Sequence, residues 1–256
     1  MREIDGSTGT KLLCQPPGGG QSTVDVLLLA YNEAETIEEE IDRWKSEVTS
    51  TLPGSSLIVA EDGSTDGTTE ILRRMDRKGL IAHVHSQVRR GYRDAFMDGL
   101  RASTANFVMF ADTGSKFDVR DFWGLWPYRN DYDLLVGRKV LRTDSLFRRG
   151  LTWGYNVVLR TYFATPEVHD ADAGFRLFSS DFREWILAQE FSFKDFLNSE
   201  IVIRGVRSGW RYGEQPMRYH GRTGTSRGLP TRQIPVKVWR VLRQFPQVKS
   251  ETKGKA

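Results

Sequence analysis

No run of apolar residues in this chain approaches the roughly 18 that a membrane-spanning helix requires, and no signal-type apolar segment stands near residue 1. Those two absences predict a protein made and kept in the cytosol. Cysteine is nearly missing as well: Cys14 is the single one among 256 residues, so no intramolecular disulfide forms within the chain, and a reducing compartment fits. Histidine is scarce, and the four present, His83, His85, His169 and His220, lack the spacing of zinc ligands along the sequence, so no zinc is expected. There is no excess of acid; 37 Lys and Arg against 33 Asp and Glu leave a formal charge of +4. That balance suits a nucleic acid, an anionic membrane face or a phosphorylated substrate without choosing among them. No internal repeat is visible. What is present is an ordinary globular balance, 39% hydrophobic and 27% charged, which excludes wholesale disorder and is enough for one sizeable core.

The acidic residues are patterned. Phe107-Val-Met-Phe-Ala-Asp112 ends an apolar run in a carboxylate. Val24 to Ala30, with Asp25 its one polar member, runs into Tyr31-Asn32-Glu33, and Leu57 to Ala60 runs into Glu61-Asp62-Gly63-Ser64-Thr65-Asp66-Gly67. Open α/β sheets bind nucleotides at the carboxyl ends of their buried strands, where an aspartate can hold a divalent cation against a diphosphate. Three such segments predict one shared polar crevice.

Residues 1–23 carry Gly6, Gly9, Pro16, Pro17 and Gly18 to Gly20 with few apolar side chains, a composition that does not offset the entropy of ordering, and read as a flexible leader. From Val24 strands and helices alternate. Strands are predicted at 24–30, 57–60, 82–85, 107–111, 133–137, 177–178 and 210–219. Helices are predicted at 35–52 (Ile37, Ile41, Trp44 and Val48 inward, with Asn32 or Thr36 as cap), 65–77 (Ile71, Leu72 and Met75 inward), 91–100, 121–126, 144–165 with a break near Gly154, and 198–208. This rhythm predicts an α/β fold with a mixed, mostly parallel sheet flanked by helices, in a single catalytic domain over 24–229. Residues 230–256 form a basic tail. Within it Ile234, Val238, Val241, Leu242 and Phe245 line one side of a helix and Arg232, Lys237, Arg240 and Arg243 the rest. Such a helix either packs on the domain or lies on a membrane surface.

Taken in order, Ala30-Tyr-Asn-Glu33, Glu61-Asp-Gly-Ser-Thr-Asp66, Asp112, Asp172-Ala-Gly-Phe-Arg-Leu-Phe178 and His220-Gly-Arg-Thr-Gly-Thr-Ser226 resemble the family 2 glycosyltransferases, in the branch of dolichol-phosphate mannose synthase and bacterial polyprenyl-phosphate sugar transferases. The resemblance spans residues 24–228. It implies a GT-A, Rossmann-like fold, a nucleotide-diphosphate sugar donor and inversion at the anomeric carbon. It places the donor against Ala30, Tyr31, Glu33, Asp62, Gly91, Asp112, Arg138 and Lys139, with Asp62 accepting from the base. It places the sugar or acceptor against Asp172, Arg176, Glu200, His220 and Arg227. Asp62 reads alternatively as a helix N-cap ahead of Thr65, and Glu200 as the partner of Arg204 four residues on.

One motif departs from the family. Where its members place a second aspartate, this chain has Gly114, which weakens a Mg²⁺ or Mn²⁺ site centred on Asp112. Asp118 is a candidate to assist, or Lys116 and arginines to replace the cation. Departure of a diphosphate builds negative charge that basic groups stabilise, and Arg138, Lys139, Arg142, Arg222 and Arg227 are the candidates. Asp112, Asp172 and Arg222 are the expected catalytic residues, with Asp172, and Asp170 second, as the base for a hydroxyl acceptor; a lipid phosphate, already anionic, needs none. The expected reaction moves a hexose to a polyprenyl phosphate, with peripheral membrane contact through 230–245. The alternatives are transfer to a hydroxyl of a glycan or modified DNA, and a catalytically degenerate sugar-nucleotide-binding module.

Overall fold

The apolar runs that end in acid become neighbouring strands of one sheet. The computed structural model describes residues 22–114, 117–140, 146–193, 195–218 and 234–252. In it β1 (Val24–Ala30) lies between β2 (Ser56–Asp62) and β4 (Phe107–Asp112), parallel to both, and β3 (Ala82–Ser86) is a parallel edge beside β2. Ala30 faces Glu61, Leu29 faces Asp112 and Asp62 faces Ser86, so the three carboxyl ends meet at one edge. Beyond β4 the direction reverses. There β6 (Phe175–Ser179) is antiparallel to β4 and to β5 (Leu134–Val140), and β7 (Tyr212–Arg218) runs parallel to β5. The order is β3-β2-β1-β4-β6-β5-β7, a mixed and mostly parallel sheet.

Strand alternation divides the apolar side chains between two cores. Leu27, Ile58, Phe110 and Val136 face one side, and Val26, Leu28, Met109 and Leu177 the other. Asp25, the polar exception within β1, is 4% exposed and accepts from the Ser56 and Ser103 hydroxyls and the backbone N–H groups of Thr104 and Ala105. A buried carboxylate so supplied ties the turn before β4 to β1 rather than destabilising the strand.

Helix α1 (Ile37–Trp44) is shorter than its predicted segment, and the chain continues as a π-helical turn, Lys45–Thr49, which keeps Val48 buried beside Ile37, Ile41 and Trp44. Neither expected cap acts there: the Thr36 hydroxyl donates to Glu33, and Asn32 accepts from Thr65 N. Helix α2 (Thr68–Arg77) begins three residues later than predicted, because Asp66 accepts from Thr68 N and holds the preceding residues in a loop. Helices α3 (Tyr92–Ala102), α4 (Phe122–Leu125) and α7 (Leu197–Arg207) occupy their predicted segments. Helix α5 (Leu146–Phe163) runs unbroken through Gly154, and α6 (Ser180–Leu187), capped by Ser179, lies where no helix is expected.

The last helix, α8 (Ile234–Glu251), shares the core of the domain. Val241, Phe245 and Val248 are buried, and the Phe245 ring centroid lies 4.9 Å from that of Phe163 and 5.8 Å from that of Phe193. Leu242, expected on the inward side with Val241 and Phe245, turns outward. A boundary at residue 230 thus cuts through a continuous hydrophobic cluster.

Candidate active site

Two loops at the carboxyl edge of the sheet interlock through short polar side chains. Asn32 N donates to Ser64 Oγ and Asn32 Oδ1 accepts from Thr65 N, while Glu33 N donates to Thr68 Oγ1 and Ala34 N to Asp66. Gly63 makes the turn: its φ is +66°, and a Cβ there would stand 2.6 Å from Val88 C and Arg89 N, which no side chain can do. The Arg89 guanidinium lies 4.0 Å above the Tyr31 ring. The Asp62 carboxylate, 6% exposed, accepts from Arg90 N at 2.7 Å and Gly91 N at 2.9 Å. It is not the N-cap of α2; that turn is held by Asp66. Asp62 instead fixes the start of the 90–94 segment, which faces the site.

That segment lines a cavity of about 470 Å³ together with Asp112, Asp172, Asp195, Asn198 and Lys237. Asp112 ends β4, its N–H donating to Gly174 O at 2.7 Å, and its carboxylate lies directly against the Gly174 Cα, where any Cβ would overlap it. Because β6 is antiparallel to β4, the segment leading into it, including Asp170, Asp172 and Gly174, arrives at the edge where β4 leaves. Two carboxylates from segments 60 residues apart in the chain thus share one hollow.

Burial raises the Asp172 carboxyl most; Lys139 and Arg176 oppose that shift, Asp112 and Asp170 add to it, and the value is about 6. Asp172 is held in place through its backbone. Lys139 Nζ reaches Asp172 O at 3.4 Å and Asp170 Oδ1 at 3.5 Å, and Asp170 Oδ2 accepts from Lys139 N. Glu214 of β7 accepts from His169 N, Asp170 N and the Tyr212 hydroxyl and lies 3.7 Å from Arg138 Nε. Arg138 and Lys139 therefore face this carboxylate cluster and are not among the residues lining the cavity.

Two expected pocket residues serve elsewhere. Arg176, 1% exposed, spends its guanidinium on the backbone carbonyls of Ala173, Asn198 and Ala171, clamping the Asp172 loop to α7. Glu200, fully buried, accepts from Ser192 N, Phe193 N and Arg204 Nε, the reading in which it pairs four residues on. Both build the wall behind the cavity without facing it, since each has its polar atoms satisfied internally. Asp118 is likewise engaged, with Arg120. Lys116, Arg142, His220, Arg222 and Arg227 lie outside the described residues.

Gly114, in place of the second acid, has a φ of +94°, and its N–H donates to Glu40 Oε2 at 2.8 Å. Glu40 is 5% exposed on α1 and borders a small hollow that also touches Asp112 and Phe117. The turn after β4 is therefore stabilised by a carboxylate from another element. Sequence reading missed this one because Glu40 sits among Glu38 and Glu39, which face solvent. It also missed Tyr92, whose hydroxyl accepts from Asn198 Nδ2 at 2.7 Å, and Lys237, whose ammonium is 2.8 Å from Asp195 at the cavity rim.

The family model described as "Glycosyl transferase family 2" matches residues 25–187. Among characterised proteins, the chain is 30% identical to glycosyltransferase AglD of Haloferax volcanii over 203 residues, which is 76% of this chain and 32% of AglD. It is 26% identical to the dolichyl-phosphate hexose transferase of the same organism over 206 residues, 79% of this chain and 85% of that protein. This chain thus spans about a third of AglD but most of the second relative. Among solved structures, glucosyl-3-phosphoglycerate synthase of Mycobacterium tuberculosis, in complex with Mn²⁺, UDP and glucosyl-3-phosphoglycerate, superposes with a TM-score of 0.64 at 21% identity, covering 92% of this chain and 86% of that one. Mannosyltransferase PcManGT of Pyrobaculum calidifontis, in complex with GDP-Man and Mn²⁺, gives 0.62 at 22% identity, covering 90% and 68%. At those identities the structures establish the fold, which is GT-A.

Proposed function

This chain belongs to glycosyl transferase family 2, and on that premise we propose that it moves a hexose from a nucleotide-diphosphate sugar to a dolichyl-type polyprenyl phosphate with inversion. The observation that carries the reading is a cavity lined by both Asp112 and Asp172 at the carboxyl edge of the parallel strands, the place where such sheets bind nucleotides. The acceptor class is argued from the dolichyl-phosphate hexose transferase relative, whose length this chain largely spans.

In this reading the base and ribose lie along Tyr31, Glu33 and the loop fixed by Asp62, and the diphosphate reaches Asp112. Hard divalent cations take oxygen ligands, so Asp112 together with the donor's own phosphates fits Mg²⁺ or Mn²⁺; the Gly114 turn, anchored by Glu40, adds no second side-chain ligand. Such a cation would neutralise the departing diphosphate. Arg90, Arg93 and Lys237 line the same hollow as Asp94, Asp112, Asp172 and Asp195 and are the basic groups there that could meet the departing phosphate. A phosphate oxygen of the acceptor forms the new bond to the anomeric carbon as the bond to the donor's diphosphate breaks, and the electron pair leaves with the nucleoside diphosphate. No proton has to be removed from such an acceptor.

The test is a screen of nucleotide sugars with and without Mn²⁺ against polyprenyl phosphate and hydroxyl acceptors, with products read by mass spectrometry. Polyprenyl-phosphate hexose is the expected product, and Asp172→Asn should keep its rate within about tenfold. Transfer to a hydroxyl instead requires Asp172 as an ionised base, worth about 10²–10⁴-fold. Its activity would then rise with pH through about 6, the value at which Asp172 loses its proton, and Asp172→Asn would abolish both rate and limb. Product formed only on hydroxyl acceptors sinks the lipid-phosphate reading.

Among the described residues no helix is long and apolar enough to cross a membrane, and membrane contact is assigned to the outward face of α8. Val236 is 59% and Trp239 58% exposed, with Leu242 alongside and the Arg243 guanidinium 4.3 Å from the Trp239 ring. Exposed apolar groups flanked by arginine fit the interface of an anionic bilayer, and Lys237, one residue from Val236, already lines the cavity. Trp239→Glu should lower partitioning onto phosphatidylserine-containing vesicles at least tenfold without loss of fold; unchanged cosedimentation refutes the contact. Deleting the helix is the wrong experiment, because Val241, Phe245 and Val248 would leave the core with it.

A further inference from the structure

The histidines lack zinc-ligand spacing in the sequence, but the sheet assembles one on its edge. His83 and His85 are two apart on β3 and so project from the same face. Glu61 of β2 stands directly opposite His85 in the parallel register. Glu61 Oε2 is 2.5 Å from His85 Nδ1 and 3.8 Å from His83 Nε2, and a ligand atom from each of the three residues lies within 4.8 Å of the other two.

A second observation points into the same spot. The His83 side chain is 3% exposed, and its Nε2, turned toward Glu61, has no hydrogen-bond partner among the described residues. Buried polar nitrogens are nearly always partnered, and an ion between the three side chains would supply what this one lacks. The other groups are positioned as supports: Glu61 Oε1 accepts from Ser64 N, and Arg73 Nη2 of α2 is 3.3 Å from His85 Nε2.

We propose that Glu61, His83 and His85 form a binding site for a divalent transition-metal ion of the borderline class, for which Zn²⁺ is the probe, separate from the donor site at Asp112. Two imidazoles and one carboxylate are a recognised donor set for such ions, with water completing a tetrahedron. The site has a geometric requirement. Ligands each about 2.1 Å from a tetrahedral ion stand roughly 3.4 Å apart, so the contact between Glu61 and His85 must open by about 1 Å. In the same step exposed Arg73 swings off Nε2 and the ring exchanges its proton with solvent, losing it at Nδ1 and taking one at Nε2, so that His85 stays neutral and Nδ1 is free to bind the ion. The consequence for the protein is local: Glu61 precedes Asp62, so an ion here would brace the 61–67 loop from the side away from the cavity.

The experiment is equilibrium dialysis of the chelator-stripped full chain against Zn²⁺ alone, with a parallel Co²⁺ titration read by visible absorption. One equivalent should be retained, with the intense Co²⁺ bands of a tetrahedral site. His85→Gln and His83→Ala should each weaken binding at least tenfold, and Asp112→Asn should leave it unchanged. His85 is partly exposed, so His85→Gln keeps the test valid where His83→Ala fails to fold; a Zn²⁺-dependent rise in Tm for the parent chain and none for His85→Gln is the second readout. Retention of no metal by the parent, equal binding by His85→Gln, or loss of binding in Asp112→Asn overturns the proposal and leaves Glu61 and His85 as a hydrogen-bonded clamp on the β3 edge.

Discussion

Asp112→Asn is expected to lower sugar transfer by about 10²–10³-fold while leaving the unfolding temperature nearly unchanged. Its backbone bond to Gly174 O is untouched by the substitution, and asparagine has the same shape against the Gly174 Cα. What changes is charge. In the proposed reaction the neutral amide would no longer hold a cation against the departing diphosphate, and removing one such electrostatic contact costs a factor of that order. The measurement is kcat for release of nucleoside diphosphate, with circular dichroism and Tm as controls. Turnover within threefold of the parent would show that Asp112 has no part in neutralising the leaving group.

Gly174→Ala should be nearly as damaging, although it adds one methyl group to a residue with no chemistry. Its Cβ would occupy the volume of the Asp112 carboxylate; real Cβ atoms do not approach that closely, so either the carboxylate turns away or the start of β6 shifts. We expect at least a 10²-fold loss of activity and about 1–3 kcal/mol of destabilisation from overpacking. The pair should be non-additive: once Asp112 is asparagine, the methyl group has little activity left to remove. A Gly174→Ala variant with parental kcat would show that the approach of these two segments is looser than the structure has it.

The carboxyl-edge crevice was legible in the sequence because a buried strand followed by acid is a local pattern, and β1, β2 and β4 each carry it. The direction of β6 was not legible. Phe175 to Phe178 reads the same whether the strand runs up or down the sheet, and only the pairing with β4 and β5 reveals that Asp172 enters the site from the antiparallel side. Arg176 and Glu200 were placed in the pocket by motif, but which way a side chain faces depends on neighbours distant in sequence. For Arg176 these are three carbonyls, and for Glu200 the N–H groups of Ser192 and Phe193. Glu61, His83 and His85 were missed for the same reason, since strand register, which no local spacing records, is what joins them.

Helix α8 has one side in the protein interior and the other turned outward through Val236, Trp239 and Leu242. A catalytic domain tethered by a floppy linker can tumble above a bilayer and meet its acceptor at any angle. Here no hinge separates the outward side chains from the Phe163 and Phe193 rings that grip Phe245. If lipid is what Trp239 meets, the mouth beside Lys237 is held at one height and one tilt, about a helix diameter from the headgroups, and only an acceptor whose phosphate stands at that level is in reach.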